Sequence, residues 1–303
     1  MQSQGSIADM KWPLVSILVP CFNHELYIEE CLRSILAQDY DNFELIVVND
    51  GSTDGSAAKI EALQRLHGFQ FYQQPNMGVS AALNLALSHA RGEFIVTHDS
   101  DDIMLAGRIR RQVSYMQEHP EVGLLGAKVI YIDSIGRPIK HKVARQSSVQ
   151  RWSFDQLLAD AYAVGAPVAM YRREAIDHVG GYDPAIKVQD FQMTLRIAQA
   201  GYQVDILPDR VTLYRRHATN ISKTAYKSQL VYDLKVIEAY RDNPAYEAGR
   251  LAIINKALKE SVVTDKKFAR GLFASIPVHR WNRLTWKRFR HFVFKYGKPK
   301  GAQ

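Results

Sequence analysis

The chain has 303 residues, of which 47% are hydrophobic and 23% are charged, a composition that buries a full core without covalent staples. This excludes intrinsic disorder, collagen-like repeats and a disulfide scaffold, since Cys21 and Cys31 are the two cysteines of the chain. The formal net charge of +8 leaves nucleic acid, a membrane surface or an anionic small molecule as candidate partners.

Short apolar runs alternate with amphipathic segments along the first hundred residues. Buried strands are predicted at four of these runs, residues 14–19, 43–48, 69–72 and 93–97. Helices are predicted between and after them, over residues 24–38, about 53–67 and 77–90, and from near residue 104. Such an alternation predicts an α/β fold with a mainly parallel, doubly wound, Rossmann-like sheet.

The second half of the chain has a different pattern. Residues 122–131 and the Gly136-Arg137-Pro138 turn predict a smaller β region, and a helix is predicted over residues 189–200. Short strands follow at 202–207 and 211–215, and the pattern is helical from Thr224 onward. The predicted parts are a tail at 1–12, a domain at 13–222 with halves 13–102 and 103–222, and a helical, basic extension at 223–303.

Acidic residues that directly follow the fourth predicted strand are the first candidates for chemistry, because ligands of open α/β sheets bind outside the carboxyl ends of the strands. Neither a G-x-G-x-x-G nor a G-x-x-x-x-G-K-[ST] loop follows the first strand, so backbone binding of phosphates is not expected. Asp99, Asp101 and Asp102 would repel one another unless a divalent cation lay between them. They predict a Mg²⁺ or Mn²⁺ site for a nucleotide diphosphate; the alternative is a solvated acidic turn that caps the next helix.

Three more residues are candidates for the site, and each also has an ordinary structural interpretation. Asp50 is either a turn-former before Gly-Ser or an acceptor for the uracil N–H, with Phe22 stacked on the base, and the two fit equally well. Asp190 begins an amphipathic helix, where the helix dipole favours an ordinary first-turn acid. His217 taken alone is an ordinary core or surface histidine, and the sequence offers no reason for His98.

Four longer blocks occur in a recognisable order. They are VSILVPCFNHELYIEECLRSILAQDYDNFELIVVNDGSTDGS, NMGVSAALNLALSHARGEFIVTHDSDD, RREAIDHVGGYDPAIKVQDFQMTLRIAQAGYQV and YRRHATNIS. With them the chain resembles the family 2 glycosyltransferases over roughly residues 13–222. The resemblance implies the GT-A fold and an inverting hexosyl- or N-acetylhexosaminyltransferase. It also implies a nucleotide-diphospho-sugar donor, with UDP expected, and a hydroxyl of a glycan or lipid-linked acceptor, in bacterial surface polysaccharide synthesis.

The resemblance also implies roles for individual residues. Asp190 matches the catalytic base, Asp101 the metal-binding acid of the D-x-D motif, and His217 a histidine near the metal or the leaving diphosphate. The implied donor-binding residues are Pro20, Phe22, Asn23, Asp50, Asn76, Gly78, Asp99 and Ser100. Three positions depart from the family pattern: His98 occupies a usually apolar position, Asn49 replaces a frequent Asp, and Gln189 replaces the Glu of a Glu-Asp pair. Asp190 is therefore the one acid left at that place.

In the implied mechanism, Asp190 removes the proton of the acceptor hydroxyl while the cation neutralises the departing diphosphate. One carboxylate without a second nucleophilic acid predicts inversion at the anomeric carbon.

Three alternative functions remain at this point. A carboxylate-based glycosidase would need neither a base pocket nor a metal. A haloacid-dehalogenase-like phosphatase would have D-x-D after its first strand, and a non-enzymatic protein would bind a membrane surface.

The basic excess is confined to the end of the chain. No acidic residue follows Asp265, and residues 266–303 hold 11 of the 39 Lys and Arg, which leaves 28 against 31 acids, or −3, for residues 1–265. This mildly acidic body argues against nucleic acid as a partner. Residues 280–296 mix cations with aromatic rings, which fits contact with an anionic membrane surface and, equally, a helix packed on the domain. No signal peptide and no run long enough to span a membrane are recognised, so we expect a cytoplasmic protein, peripheral on the inner face of the cytoplasmic membrane.

Overall fold

The computed structural model describes residues 12–140, 146–217 and 226–294. These residues divide into two compact units. The first unit holds residues 12–140, 146–152, 164–185 and 196–216, and the second holds 153–163, 186–195, 217 and 226–294. The domain boundary expected at 12/13 stays a prediction, and residues 1–11 of the expected tail and the boundary expected at 222/223 lie outside the described residues.

The strands of the first unit form one sheet. They are β1 Val15–Cys21, β2 Phe43–Asp50, β3 Gln70–Gln74, β4 Phe94–Thr97, β5 Ile103–Met104, β6 Val122–Asp133, β7 Gln150–Trp152, β8 Met170–Arg172 and β9 Gln203–Arg216. Their order is β3-β2-β1-β4-β8-β6-β9-β5, and β7 pairs with β9. β3, β2, β1 and β4 are parallel, as predicted, whereas β8 is antiparallel to both β4 and β6. The predicted parallel sheet is therefore confirmed, and its second half adds antiparallel pairs.

Helices alternate with these strands, and after β9 the described elements are all helical. They are α1 Ile28–Leu36, α2 Ser56–His67, α3 Val79–His89, α4 Arg108–Glu118, α5 Phe154–Ala159, α6 Arg173–His178, α7 Gln189–Gln199, α8 Tyr226–Ile237, α9 Tyr246–Thr264, α10 Lys266–Ala274 and α11 Arg283–Phe294. In α1 the residues Ile28, Cys31, Leu32 and Ile35 are buried at helical spacing, so one face of the helix enters the core. α3 packs on β1 and β2.

Two predicted elements differ from the structure. The helix expected from Met104 begins at Arg108, because residues 103–104 pair with β9 and the left-handed Gly107 precedes the helix. The strands expected at 202–207 and 211–215 are one strand, β9. Its register against β6 shifts opposite residues 207–209, where Pro208 lies out of step with the ladder. The strand therefore continues through Pro208, although proline lacks the N–H that would join the ladder.

The second unit is built around α9, which contacts α5, α8, α10 and α11. Gly249 of α9 lies so near the carbonyl oxygen of Leu158 in α5 that a Cβ would collide with it. Asp265 accepts a hydrogen bond from the main-chain N–H of Phe268 (3.0 Å) and thereby caps α10. The predicted helical character of the C-terminal region is confirmed in its described part.

Of the segment 280–296, residues 280–294 are described, and their aromatic rings are partly used in packing within the second unit. Phe273 of α10 has the rings of Trp281, Phe289 and Phe292 at centroid distances of 5.4–5.5 Å. Trp286 and Phe294 instead remain 47% and 74% exposed. Among the described residues, no helix is long and apolar enough to cross a membrane.

Candidate functional site

The carboxyl ends of three parallel strands meet at one edge of the sheet. β2 and β4 flank β1 on opposite sides, so the strand order reverses between β1 and β4, where open α/β sheets bind ligands. Predicted site residues of the first unit lie at the ends of β1, β2, β3 and β4: Pro20, Phe22, Asn23, Asp50, Asn76, Gly78, Asp99, Ser100 and Asp101. The topology therefore brings these residues to the same edge.

Asp50 is 4% exposed, and its carboxylate binds the loop that follows β3. Its Oδ1 accepts hydrogen bonds from Gln74 Nε2 (2.7 Å) and from the main-chain N–H of Met77 (2.9 Å), and its Oδ2 accepts one from the N–H of Gly78 (2.9 Å). A carboxylate oxygen can accept two hydrogen bonds, so within the described residues Oδ2 keeps one acceptor position. The sequence did not reveal that Asp50 fixes the segment carrying Asn76 and Gly78.

Gly51 allows this loop to approach. Its φ of +71° lies in the left-handed region, and a Cβ at this position would lie 2.6 Å from the main-chain nitrogen of Asn76. A larger residue would therefore push the loop away from Asp50.

The segment after β1 is tied to the segment after β2. Asn23 has a left-handed backbone (φ +54°), its N–H donates to Ser52 Oγ (3.0 Å), and its Oδ1 accepts from the N–H of Thr53 (2.8 Å). Phe22 beside it is 45% exposed. The structure thus places an accessible aromatic ring next to the strand end that carries Asp50, while Pro20 lies within β1 opposite Val48.

The acidic loop after β4 brings three carboxylates together. Each of Asp99, Asp101 and Asp102 has a carboxylate oxygen within 4.8 Å of the other two. Asp102 is 1% exposed; its Oδ1 accepts from the main-chain N–H of Arg215 (2.7 Å), and its buried Oδ2 has no hydrogen-bond partner in the described chain. Burial, followed by the neighbouring charges of Asp101 and Asp99, raises the pKa of Asp102 well above its usual range.

This donor set fits a hard divalent cation. Mg²⁺ and Mn²⁺ prefer carboxylate oxygens, and a cation would offset the repulsion that raises the pKa of Asp102. A ring nitrogen of His24 also lies within 4.8 Å of a carboxylate oxygen of Asp101, and His24 Nδ1 is 2.7 Å from Ser100 Oγ. Sequence reasoning missed His24, although its place directly after Asn23 at the end of β1 was an available signal.

Arg215 of β9 stabilises the acidic loop through several hydrogen bonds. Besides its main-chain bond to Asp102, its Nε donates to the carbonyl oxygen of Asp101 (2.8 Å) and its Nη2 pairs with Glu30 Oε2 (2.5 Å). The guanidinium also lies over the ring of Tyr27 (4.8 Å). Arg215 is 2% exposed, so one buried side chain connects the loop to α1.

His98 has a structural explanation that the sequence did not offer. It is fully buried, and its Nδ1 accepts a hydrogen bond from Arg108 Nη1 (3.0 Å). The buried guanidinium has five other acceptors: Gln112 Oε1, Thr212 Oγ1 and the carbonyl oxygens of Thr97, Pro167 and Ala169. Burial, and then the charge of Arg108, lower the pKa of His98 well below its usual range. His98 is thus neutral and serves as a hydrogen-bond acceptor for Arg108, directly before the acidic loop in the sequence.

The two cysteines lie beside the same loop. Cys21 and Cys31 are free and 1% and 0% exposed, and Cys31 Sγ donates to the carbonyl oxygen of Asp99 (3.5 Å). Burial raises the pKa of Cys21 to about 11 and that of Cys31 well above its usual range. Both thiols are therefore protonated and packed.

Asp190 and His217 belong to the second unit. Asp190 is half-buried in the first turn of α7, and its carbonyl oxygen accepts a hydrogen bond from Thr194 Oγ1 (2.7 Å). His217 directly follows β9 and is 7% exposed. Their catalytic and metal-binding roles stay predictions.

Comparison with known sequences gives one family. Residues 16–180 match the family model described as glycosyl transferase family 2. A curated relative is the amylovoran biosynthesis glycosyltransferase AmsE of Erwinia amylovora, which is 28% identical over 221 residues, covering 69% of this chain and 79% of AmsE.

Comparison with solved structures points to the same fold. A mannosyltransferase from Pyrobaculum calidifontis, in complex with GDP-Man and Mn²⁺, has a TM-score of 0.64 at 22% identity and covers 94% of this chain and 86% of that one. S. aureus TarS 1-349 in complex with UDP-GlcNAc has a TM-score of 0.61 at 20% identity, with coverages of 92% and 80%. At these identities the likeness concerns the fold.

Proposed function

The chain belongs to glycosyl transferase family 2 and is a glycosyltransferase of the GT-A fold, and from this we propose that it moves a sugar from UDP to a hydroxyl of a glycan or lipid-linked acceptor, with inversion. The observation that carries the proposal is the position of the Asp50-bound loop and the acidic loop at one edge of the sheet. AmsE is named for the biosynthesis of a polysaccharide, which supports a role in bacterial surface polysaccharide synthesis.

The nucleobase would lie between Phe22 and Asp50. The remaining acceptor position of Asp50 Oδ2 suits the N–H of uracil, and the half-exposed ring of Phe22 offers a stacking surface. Neighbouring donor contacts are assigned to Pro20, Asn23, Asn76, Gly78, Asp99 and Ser100. The GDP-Man and UDP-GlcNAc in the neighbours' structures support a nucleotide-sugar donor.

Asp101 would hold the divalent cation, Mn²⁺ or Mg²⁺, together with Asp99 and Asp102. When bound, the cation supplies positive charge that stabilises the departing nucleoside diphosphate. His217 is proposed as a further ligand. It stands two residues beyond Arg215, whose main-chain N–H binds Asp102, and this continuity of the chain supports the assignment.

Asp190 would act as the general base. Its carboxylate takes the proton of the acceptor hydroxyl while the oxygen of that hydroxyl forms a bond to the anomeric carbon. The bond between this carbon and the donor phosphate oxygen breaks, so the configuration inverts. Gln189 next to it is uncharged, which leaves Asp190 as the acid of the first helical turn.

The variant Asp190→Asn tests the base. We expect the transfer rate to fall about 10²- to 10⁴-fold, while the affinity for UDP measured by calorimetry stays within twofold. Asp183→Asn, in the turn before α7, serves as the matched control and should transfer normally. Near-normal transfer by Asp190→Asn with normal donor binding would exclude Asp190 as the base.

A panel of nucleotide sugars tests the donor and the cation. We expect UDP-sugars to raise the melting temperature in Mn²⁺ and to lose this effect in EDTA, whereas the Asp101→Asn protein should show no Mn²⁺-dependent shift. Stabilisation by GDP-sugars alone would correct the nucleotide, and stabilisation by no nucleotide sugar would contradict the whole proposal.

We also propose a cytoplasmic location at the inner face of the membrane, through residues 280–296. The two free, buried thiols, Cys21 and Cys31, support a reducing compartment. The aromatic and cationic side chains of α11 support contact with a membrane surface.

A further inference from the structure

The outer face of α11 combines cations with exposed aromatic rings. Arg283, Lys287, Arg290 and Phe294 follow one another at helical spacing and lie on one face, and all four are exposed. Trp286 borders this stripe; one edge of its ring contacts Trp281 (centroids 4.7 Å apart), and the residue is still 47% exposed. Together these five residues form what we term the outer face of α11.

The opposite face of the same helix is occupied by the second unit. Thr285 is fully buried and its Oγ1 accepts a hydrogen bond from Asn255 Nδ2 of α9 (2.9 Å). Phe289 and Phe292 pack against Phe273 of α10. These contacts fix the rotation of α11 about its axis, so the outer face points away from the helices that hold it.

Within the part of the chain that the structure describes, the cations of the outer face have no acidic partner at ion-pair distance. Among the described residues, no ion pair includes Arg283, Lys287 or Arg290, and the last acidic residue of the chain is Asp265. Arg288, on the packed side, differs because it is half-buried and lies near the charge of Glu260. The positive charge of the outer face is thus uncompensated.

We propose that the outer face of α11 binds the anionic phospholipid surface of a membrane, with the helix axis parallel to that surface. Lys and Arg would contact the phosphate headgroups, and Trp286 and Phe294 would lie at the boundary between headgroups and acyl chains. The membrane contact proposed above is thereby assigned to one face of the helix. Trp281, Phe289 and Phe292 take no part in this contact, because their rings pack against Phe273. It rests on the proposed location and not on the transfer step.

Charge complementarity is the reason to choose an anionic lipid surface. Each Lys or Arg near such a surface strengthens binding by roughly fivefold, so the loss of two cations lowers the partition coefficient about thirtyfold. The attraction is screened by salt, whereas the contribution of the rings is not. Binding should therefore require anionic lipid and weaken as the salt concentration rises.

The experiment is flotation of the full chain with vesicles of phosphatidylcholine alone or mixed with phosphatidylglycerol, without donor. We expect the wild type to float with the mixed vesicles, the Lys287→Gln/Arg290→Gln protein to bind them about thirtyfold more weakly, and the Trp286→Ala/Phe294→Ala protein to bind more weakly as well. Arg65→Gln/Arg241→Gln removes two exposed cations elsewhere and should bind within twofold of the wild type.

Three outcomes would overturn the proposal. These are no flotation of the wild type, equal flotation with and without phosphatidylglycerol, and unchanged binding by Lys287→Gln/Arg290→Gln. Far-UV circular dichroism and melting temperature verify that the variants fold, since the substituted side chains are exposed. UDP affinity is measured in parallel; a variant that loses flotation but keeps UDP affinity separates the membrane contact from the proposed transferase activity.

Discussion

The side-chain amide of Asn84 forms two hydrogen bonds with the backbone of Tyr182, which lies 98 positions away in the sequence. Asn84 Nδ2 donates to the carbonyl oxygen of Tyr182 (2.7 Å), and Asn84 Oδ1 accepts from its N–H (2.9 Å). Asn84 belongs to α3, whose preceding loop is bound by Asp50, and Tyr182 belongs to the Gly180–Pro184 turn that leads toward α7. One side chain thus connects the candidate donor-binding loop with the segment before the candidate base.

The variant Asn84→Ala should therefore affect both stability and transfer. We expect the free energy of unfolding to fall by about 1–3 kcal/mol, because the two main-chain groups of Tyr182 lose their partners. The transfer rate should fall more than the affinity for UDP, since the Asp50 contacts remain. Chemical denaturation and steady-state kinetics measure these effects. Asn42→Ala, which loses one exposed bond to Trp12, is the control, and an equal loss in both variants would contradict the prediction.

Asp50→Asn should destabilise the protein even without donor. An amide nitrogen in place of Oδ2 would face the main-chain N–H of Gly78, and in place of Oδ1 it would face the donors of Gln74 and Met77, so at least one hydrogen bond is lost, at a cost of about 1–3 kcal/mol. Urea denaturation measures this loss, and calorimetry measures the accompanying fall in UDP affinity. The exposed Asp41→Asn is the charge-matched control. If Asp50→Asn weakened UDP binding without any change in stability, the carboxylate would act on the nucleobase alone.

Arg215→Lys should weaken the binding of Mn²⁺. A lysine cannot bind the Asp101 carbonyl, Glu30 and Ser134 together, so the acidic loop loses its support. Loss of a group that orients metal ligands typically lowers metal affinity by about 10- to 100-fold. Titration of the protein with Mn²⁺ tests this. Glu30→Gln removes one partly exposed ion pair and should change the affinity by less than about fivefold; a larger effect than that of Arg215→Lys would reverse the assignment.

His98 should make stability fall in mild acid. Its pKa is lowered in the folded chain, so the unfolded chain binds a proton below about pH 6.5 and the folded chain does not. Stability is thus complete above that pH and is lost as the pH decreases. His98→Asn keeps an acceptor for Arg108 but cannot titrate. Between pH 7.5 and 5.5 we expect the wild type to lose about 1.4 kcal/mol more than the variant in urea titrations; parallel curves would contradict a neutral, buried His98.

Local pattern was sufficient for β1 to β4 and for α1 to α3. The apolar run of β1 and the spacing of Ile28, Cys31 and Leu32 each report burial from neighbouring positions alone. The acidic loop was predicted because three acids within four residues have few stable arrangements without a cation.

Contacts between distant segments could not be predicted from such local patterns. Arg108 reaches acceptors as far away as Thr212, and the bonds from Met77 and Gly78 to Asp50 come from main-chain groups that every sequence possesses. The continuity of β9 depended on a register shift opposite β6, whereas the sequence pattern predicted two short strands at 202–207 and 211–215. The sequence therefore predicted which residues gather at the sheet edge, but not what holds them there.

Asp50 binds the loop after β3 through the main chain of Met77. The side chain of Met77 is not needed for this contact and can therefore be replaced. Met77 is 65% exposed, so a cysteine there would keep the hydrogen bond to Asp50. The native Cys21 and Cys31 are buried and protonated, so a thiol-reactive fluorophore would label the new position selectively. The protein thus offers a single labelling site beside its candidate donor pocket, at which occupancy could be followed optically in real time.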